Sequence, residues 1–400
     1  MEFDPRQTIV LGILVLFLGK YLNKKIGFLR QFNIPEPVTG GLVASVFFGL
    51  LYLFGFDVSF SEGAQHYRNV LLVVFFTSIG LSTDFKSIIK GGKVLLILSA
   101  LAIGYIFIQN YLGILVAKLF GFSPATGLLA GSVALQGGHG NVVSWEGILE
   151  GDYGVNNALE IGMIAATFGL ILGGVLGGPV SKFLINRYNL KPENDSDFVT
   201  IGEKHGKNLV IDYNSSLMVL LMLSLAIGLG IQMNNVIASF GHTLPLFVTC
   251  MFGGVLLVNI VPYIIPKLNC PTNSPTLAVV SDLSLGLFLA MAMMALKFWE
   301  LGEEALFIIA SIVVQVIAIL LFTYFVMFRL LGKNYAAAVI SAGYIGSALG
   351  ATPTAMANMA AVTQKYGASP VAFAVIPIVG AFIIQVSNAI VIEIILSFLH

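Results

Sequence analysis

Long apolar runs separated by short polar stretches dominate the chain. A hydrocarbon core about 30 Å thick takes roughly 20 apolar residues in helical form. Runs of this kind lie at 8–22, 40–56, 70–81, 94–117, 125–143 and 158–185. A polar stretch over 186–213 follows, carrying Arg187, Lys191, Glu193, Asp195, Asp197, Glu203, Lys204, Lys207 and Asp212. Apolar runs then resume at 216–233, 244–266, 283–298, 306–331, 336–354 and 370–399. Six segments, a hydrophilic linker and six more predict an all-α polytopic membrane protein built by duplication. The repeats are 1–185 and 214–400, joined by the 186–213 linker.

Local matches keep the same order in both halves. Ile34-Pro35-Glu36-Pro37-Val38-Thr39 parallels Leu244-Pro245-Leu246-Phe247-Val248-Thr249, and Gln109 parallels Gln315 inside each fourth segment. Tyr153-Gly154 and Tyr366-Gly367 each precede a sixth segment. Chance similarity between apolar helices is the alternative.

Lys and Arg concentrate in cytoplasmic loops. Suppose the N-terminus lies outside and the fifth segment of each half, near 125–143 and 336–354, enters and returns on its own side. Only Arg6, Arg68, Lys118 and Lys297 of the 20 cations then fall outside. Full crossing by both would put the majority outside, so the re-entrant arrangement is expected. Each half then crosses five times, an odd number, and the two repeats have inverted topology. Both termini lie outside and the linker is cytoplasmic. Inverted repeats are a recurring plan of secondary transporters, with substrate near the midplane.

Composition agrees. Hydrophobic residues make up 57% and charged ones 10%, with mean hydropathy +0.93, against about 25% charged in soluble domains. The net charge of +0 argues against nucleic-acid binding, which needs a basic face. Cys250 and Cys270 lie in or beside apolar segments and form neither a disulfide framework nor a metal cluster. The first run is followed by Lys20, Lys24 and Lys25 without a small-residue cleavage site, so it is expected to remain as an anchor.

One stretch departs from the apolar pattern: Ala134-Leu135-Gln136-Gly137-Gly138-His139-Gly140-Asn141. Non-helical backbone at membrane depth survives only where it is buried in protein or lines a wet cavity. Glycine permits that geometry and a close ligand approach. Freed N–H groups at a half-helix start attract carboxylates, and freed carbonyls bind cations. The second half offers Gly343, Gly346, Gly350, Thr352, Pro353 and Thr354, with Asn358 beyond. Aligning Gly121 with Gly332 sets Asn141 against Thr352. Pro353 suits a first helical turn, and Thr352 suits its cap. Close helix packing is the bland reading of such glycines, and it is adopted for Gly169, Gly173, Gly174, Gly177 and Gly178.

Ile34–Gly41 ("IPEPVTGG"), Gly137–Asn141 ("GGHGN"), Gly332–Val339 ("GKNYAAAV") and Leu349–Met359 ("LGATPTAMANM") resemble the bacterial sodium/glutamate symporters over nearly the whole chain. The resemblance implies two halves, each with a re-entrant loop, and import of glutamate with sodium. The family's Gly-Gly-x-Gly-x-Gly pattern maps onto Gly137, Gly138 and Gly140. Val142 replaces the last glycine, and Asn141 stands where threonine is common. The second loop has Gly343, Gly346 and Gly350 spread apart instead of an adjacent pair.

Expected substrate-binding residues are Gly137, Gly138, His139, Gly140, Gly350, Ala351, Thr352, Pro353 and Thr354. Expected sodium ligands are Gln109, Asn141, Gln315, Thr352 and Asn358. His139 fits a brace, a substrate contact or a proton carrier, and the two glutamines fit either ligand binding or bonds across helices. Glu160 and Glu393 sit near segment ends, where snorkelling accounts for them, and Asp84 and Asp282 read as loop residues. The third segments, 70–81 and 283–298, look short for a crossing. With no central carboxylate, sodium held by neutral oxygens is favoured over a proton relay.

A membrane enzyme is disfavoured by the lack of an Asp cluster or a nucleophile with its base. A hydroxycarboxylate carrier is disfavoured by the lack of Arg within the spans; aspartate is the other substrate alternative on the same fold. Sodium is a co-substrate and no cofactor is expected. The remaining expectations are a homodimer and a place in the cell's inner or plasma membrane.

Overall fold

The structure, a computed structural model, describes residues 2–31, 34–83, 92–192, 213–240, 244–264, 271–272, 274–297, 299, 302 and 304–399. Helices account for nearly all of the described residues, as the apolar pattern predicts. The strands among them are β1 (Glu2–Phe3) and β2 (Ser59–Phe60), paired in parallel. Eight helices among the described residues are long and apolar enough to cross a membrane, so the protein is a multi-pass membrane protein.

Two compact units emerge, and each draws on both halves of the chain. The first contains α1 (Pro5–Lys25), α3 (Glu36–Leu53), α4 (Glu62–Leu81), α9 (Tyr213–Ser239), α10 (Leu246–Ile264) and α11 (Pro275–Met294). The short α2 (Gly27–Gln31) belongs to the second unit from Phe28 onward. Within this unit glycine-mediated helix crossings recur. A Cβ on Gly19 would strike Glu36 O of α3, and one on Gly40 would strike Val15 O of α1. In the same way a Cβ on Gly253 would strike Ala226 O, and one on Gly230 would strike Cys250. Such close approach of backbones increases the van der Waals contact that holds an apolar helix pair together in lipid.

The third segments differ from their sequence reading. Helix α4 begins eight residues before Val70, at Glu62, and α11 begins at Pro275. Each has 20 residues, about 30 Å at the helical rise. The apolar pattern missed these starts because polar residues interrupt it, Glu62–Asn69 in α4 and Ser281-Asp282 after the apolar first turns of α11. Ser61 and Ser274 accept hydrogen bonds from Ala64 N and Leu277 N. Asp282 therefore lies within α11, exposed, and is not a loop residue; Asp84 falls outside the described residues.

The second unit contains α5 (Gly92–Leu119), α6 (Pro124–Leu128), α7 (Gly138–Gly151), α8 (Ala158–Tyr188), α12 (Glu304–Leu330), α13 (Tyr335–Leu349), α14 (Thr352–Tyr366) and α15 (Pro370–Ser397). Its fifth and eleventh segments are helical hairpins, α6–α7 and α13–α14. Their returning arms reach Gly151 and Tyr366, past the 143 and 354 limits read from sequence. The extra turns carry Ser144, Glu146, Glu150, Gln364 and Lys365, which end the apolar pattern without ending the helix.

Helix α8 packs on α13 and α14 through its small residues. A Cβ on Gly169 would strike Leu349 O, and one on Gly177 would strike the Asn358 amide; one on Gly173 would press on the Leu349 side chain at 3.3 Å. Packing explains these three glycines. It does not explain Gly178, which has nothing within 4 Å of its Cβ position. Of the linker, 186–192 is described: Asn186–Tyr188 closes α8, and the remainder up to Tyr213 lies outside the described residues. Cys250 is a buried free thiol, and Cys270 is outside the described residues.

Candidate functional site

The first hairpin loses regular geometry twice. Its rising arm is capped by Ser123, with Pro124 at the first helical position. It then widens into a π-turn over Leu129–Val133, where Gly131 is non-helical (φ −98°, ψ −132°). Such turns leave backbone groups without their regular partners, and side chains from two other helices replace them here. Asn110 Oδ1 accepts from Ser132 N (3.0 Å) and Ser132 Oγ (2.8 Å). Ser132 O accepts from Asn388 Nδ2 (2.9 Å) and from the turn amides Gln136 N and Gly137 N. The chain reverses at Gly137, and α7 starts at Gly138, whose φ of +72° favours glycine.

In the second hairpin Asn334 caps α13, and the break falls at Gly350 and the extended Ala351. Helix α14 begins at Thr352 with Pro353 in its first turn, as expected. Thr352 is not the cap, however: Ala351 holds that position, without a side-chain bond. Asn141 and Thr352 also differ in place, the first being the fourth residue of α7 and the second the first residue of α14.

The two breaks face each other. A Cβ on Gly138 would lie 3.7 Å from Gly350 O. Two helix N-termini thus start within a few ångströms, each with first-turn N–H groups lacking helical partners. Gly137, Gly138, Gly140, Ala351 and Thr352 are partly accessible there, and Pro353 is exposed. Asn141 lies directly beneath, against Gly137. It is fully buried, and neither its Oδ1 nor its Nδ2 has a hydrogen-bond partner. Thr354 Oγ1 is likewise buried and unpartnered.

A cluster of three glutamines joins α5, the turn of the first hairpin, α12 and the end of α13. Gln109 Nε2 donates to Ala348 O (3.1 Å), and Gln136 Nε2 donates to Gln109 Oε1 (3.0 Å). Gln315 Nε2 donates to Gln109 O (2.7 Å). Every amide nitrogen is satisfied, and the carbonyl oxygens of Gln136 and Gln315 are left buried without a donor. An unpaired buried amide oxygen costs roughly 1–3 kcal/mol. A cation is the natural partner for oxygens left in this way.

His139 and Asn358 bond to neighbouring helices. His139 is buried in α7, with Nε2 3.1 Å from Thr167 Oγ1, which itself donates to Met163 O. Asn358 lies well along α14 from the tip, and its Nδ2 donates to Gly173 O (2.9 Å) and Ala342 O (3.3 Å). The structure therefore gathers the glycines, Asn141, Ala351 and Thr352, and separately Gln109 with Gln315. Asn358 belongs to neither group. Sequence reasoning passed over Gln136, Asn110, Ser132, Asn388 and Thr167. A buried amide inside an apolar run was the available signal, and Gln136 stood within the stretch singled out. Among the described residues no group of three His, Cys, Asp or Glu is placed to hold a metal.

Comparison with known proteins extends over nearly the whole chain. A sequence model of the sodium/glutamate symporters matches residues 1–368, which include both hairpins. A sodium/glutamate symporter of Haemophilus influenzae is 40% identical over 391 residues, covering 97% of this chain and 96% of that protein. One from Escherichia coli is 40% identical over 401 residues, covering 98% and 97%, and one from Shigella flexneri matches equally. Similarity at this level, end to end through both broken segments, means that the chain belongs to the sodium/glutamate symporter family.

Proposed function

We propose that the protein imports L-glutamate together with sodium ions by alternating access, and that the ligands bind where the two hairpins meet. The facing of Gly138 and Gly350 O carries this reading. Glutamate brings two carboxylates and one ammonium, and two helix N-termini in close range offer one anion-attracting end to each carboxylate. That accounts for recognition of a dicarboxylate without an arginine. Thr352 and the amides of Gly138, His139 and Gly140 fit this role, and the Gly350 carbonyl fits the ammonium.

For sodium, the oxygens left without donors are the best-supported ligands: Gln136 Oε1, Gln315 Oε1, Asn141 Oδ1 and Thr354 Oγ1. Gln109 supports them by anchoring both neighbouring glutamines. His139 braces α7 on α8. Glutamate carries net charge −1, so a single sodium would leave transport blind to voltage. Each additional sodium adds about 2.3 kcal/mol per 100 mV, which favours at least two.

The hairpin arms support the re-entrant reading, because α13 has 15 residues and α7 has 14, against roughly 20 for a crossing. With five crossings per half, the repeats are inverted, both termini face outside and the linker is cytoplasmic. The recurring glycine crossings of α1 with α3 and α9 with α10 support duplication. We infer a homodimer in the inner membrane, joined through the unit that lacks the hairpins. That unit holds the first three segments of each half. In purified proteoliposomes, L-glutamate uptake should require an inward sodium gradient and stop when potassium replaces sodium. Equal uptake driven by a proton gradient alone would overturn the proposal.

A further inference from the structure

Away from the hairpins, the C-terminal part of α8 presents an open groove of about 770 Å³, lined by Gly178, Pro179, Lys182, Phe183, Asn186 and Arg187. These positions repeat every four residues in two adjacent rows, so they form a single helical face. The face is graded along the helix. Gly178 and Pro179 are apolar, Lys182 and Phe183 share the next turn, and Asn186 and Arg187 lie at the helix end. Gly178 leaves the apolar end open, with nothing within 4 Å of its Cβ position, and this is the glycine that packing failed to explain.

Aromatic residues border the charged end. The Tyr188 and Tyr324 hydroxyls are 3.5 Å apart, the Phe183 and Tyr324 rings lie 5.9 Å apart, and Arg329 sits over Phe325 at 5.4 Å. The chain has no Asp or Glu between Ile161 and Pro192, or between Leu306 and the C-terminal side of Gly367. Among the described residues no carboxylate is paired with Lys182 or Arg187. Tyrosines and cations at the end of an apolar helix mark the headgroup level of a bilayer. Exposed lysine and arginine there attract anionic lipid.

We propose that this groove binds an anionic phospholipid, with Lys182 and Arg187 on its phosphate, Asn186 on a headgroup hydroxyl, and an acyl chain along Phe183, Pro179 and Gly178. The charge complementarity selects the phosphate, and the apolar half of the groove selects a lipid over a free anion.

The test uses the full-length protein in detergent, titrated separately with phosphatidylglycerol, phosphatidylcholine and inorganic phosphate while melting temperature is followed. Phosphatidylglycerol should raise it saturably, and phosphatidylcholine and phosphate should not. In Lys182→Gln/Arg187→Gln the half-saturating phosphatidylglycerol concentration should rise at least about tenfold. Lys182→Arg/Arg187→Lys, which keeps both charges, should respond like the parent and controls for folding. An equal response in the neutralised variant, or a shift of the same size with inorganic phosphate, would overturn the proposal.

Discussion

Gln136 and Gln315 occupy the same energetic position: each has a donor satisfied and an oxygen buried without one. Removing an oxygen that serves only the bound ion should weaken binding more than folding. A hydrogen bond or equivalent contact to a charged group is worth roughly 1.5–3 kcal/mol, about one to two decades in affinity. Gln136→Ala and Gln315→Ala are each expected to raise the half-saturating sodium concentration at least about tenfold in uptake assays. Asn141 gives a sharper sign. It caps nothing and bonds to nothing in the ligand-free protein, so Asn141→Ala should leave the ligand-free melting temperature unchanged or raise it. Half-saturation for sodium or glutamate should rise about tenfold in the same variant. A lower melting temperature with unaltered half-saturation would return Asn141 to a structural role. Thr352→Ala should follow Asn141→Ala in transport, because Ala351 holds the cap and no capping energy is lost.

Helix α8 shows what a glycine stripe does at the scale of an element. Gly169 and Gly177 leave no room for a methyl group, because Leu349 O and the Asn358 amide fill it. Gly178, one residue on, faces open space. Gly177→Ala must displace Asn358 from its bonds to Gly173 and Ala342, an overpacking cost of about 1–3 kcal/mol. Gly178→Ala should cost nothing measurable. The two variants, compared by thermal unfolding in detergent, should therefore separate clearly, with Gly177→Ala melting earlier. Equal melting would mean that α8 shifts to absorb the methyl group, and that its packing on α13 and α14 is looser than described. Asn358→Ala should also melt earlier with little change in sodium half-saturation, since its amide bridges helices away from the hairpin tips.

For the whole molecule, the inverted-repeat proposal makes accessibility the decisive observable. In a background lacking Cys250 and Cys270, a cysteine at Gly140 should react with an impermeant thiol reagent from outside, and one at Pro353 from inside. Labelling of both from one side in every transport condition would count against inverted repeats. Uptake should also accelerate under an inside-negative potential if two or more sodium ions accompany each glutamate. Voltage-independent rates would point to a single ion. Cross-linking in lipid should capture dimers, and recovery of monomers alone would remove the homodimer from the scheme.

The apolar runs by themselves determined that the chain is a multi-pass helical membrane protein, and they located the long helices though not the short α2, because transfer of a helix into lipid depends on its own residues. "QGGHGN" and "GATPT" announced the two breaks for an equally local reason: glycine and proline disrupt helical geometry wherever they stand. Two kinds of feature escaped the apolar pattern. The starts of α4 and α11 were hidden because polar residues, Glu62–Asn69 in α4 and Ser281-Asp282 in α11, interrupt the apolar pattern while the backbone stays helical. The partners of the buried amides were hidden because hydrogen bonding across helices has no sequence spacing. Gln109 and Gln315 were equal candidates in the chain, and only packing gave Gln109 a full set of bonds while leaving an oxygen of Gln315 bare. The same packing turned Asn358 toward α8 and brought Gly138 to Gly350, since the meeting of segments more than 200 residues apart is set by tertiary contact.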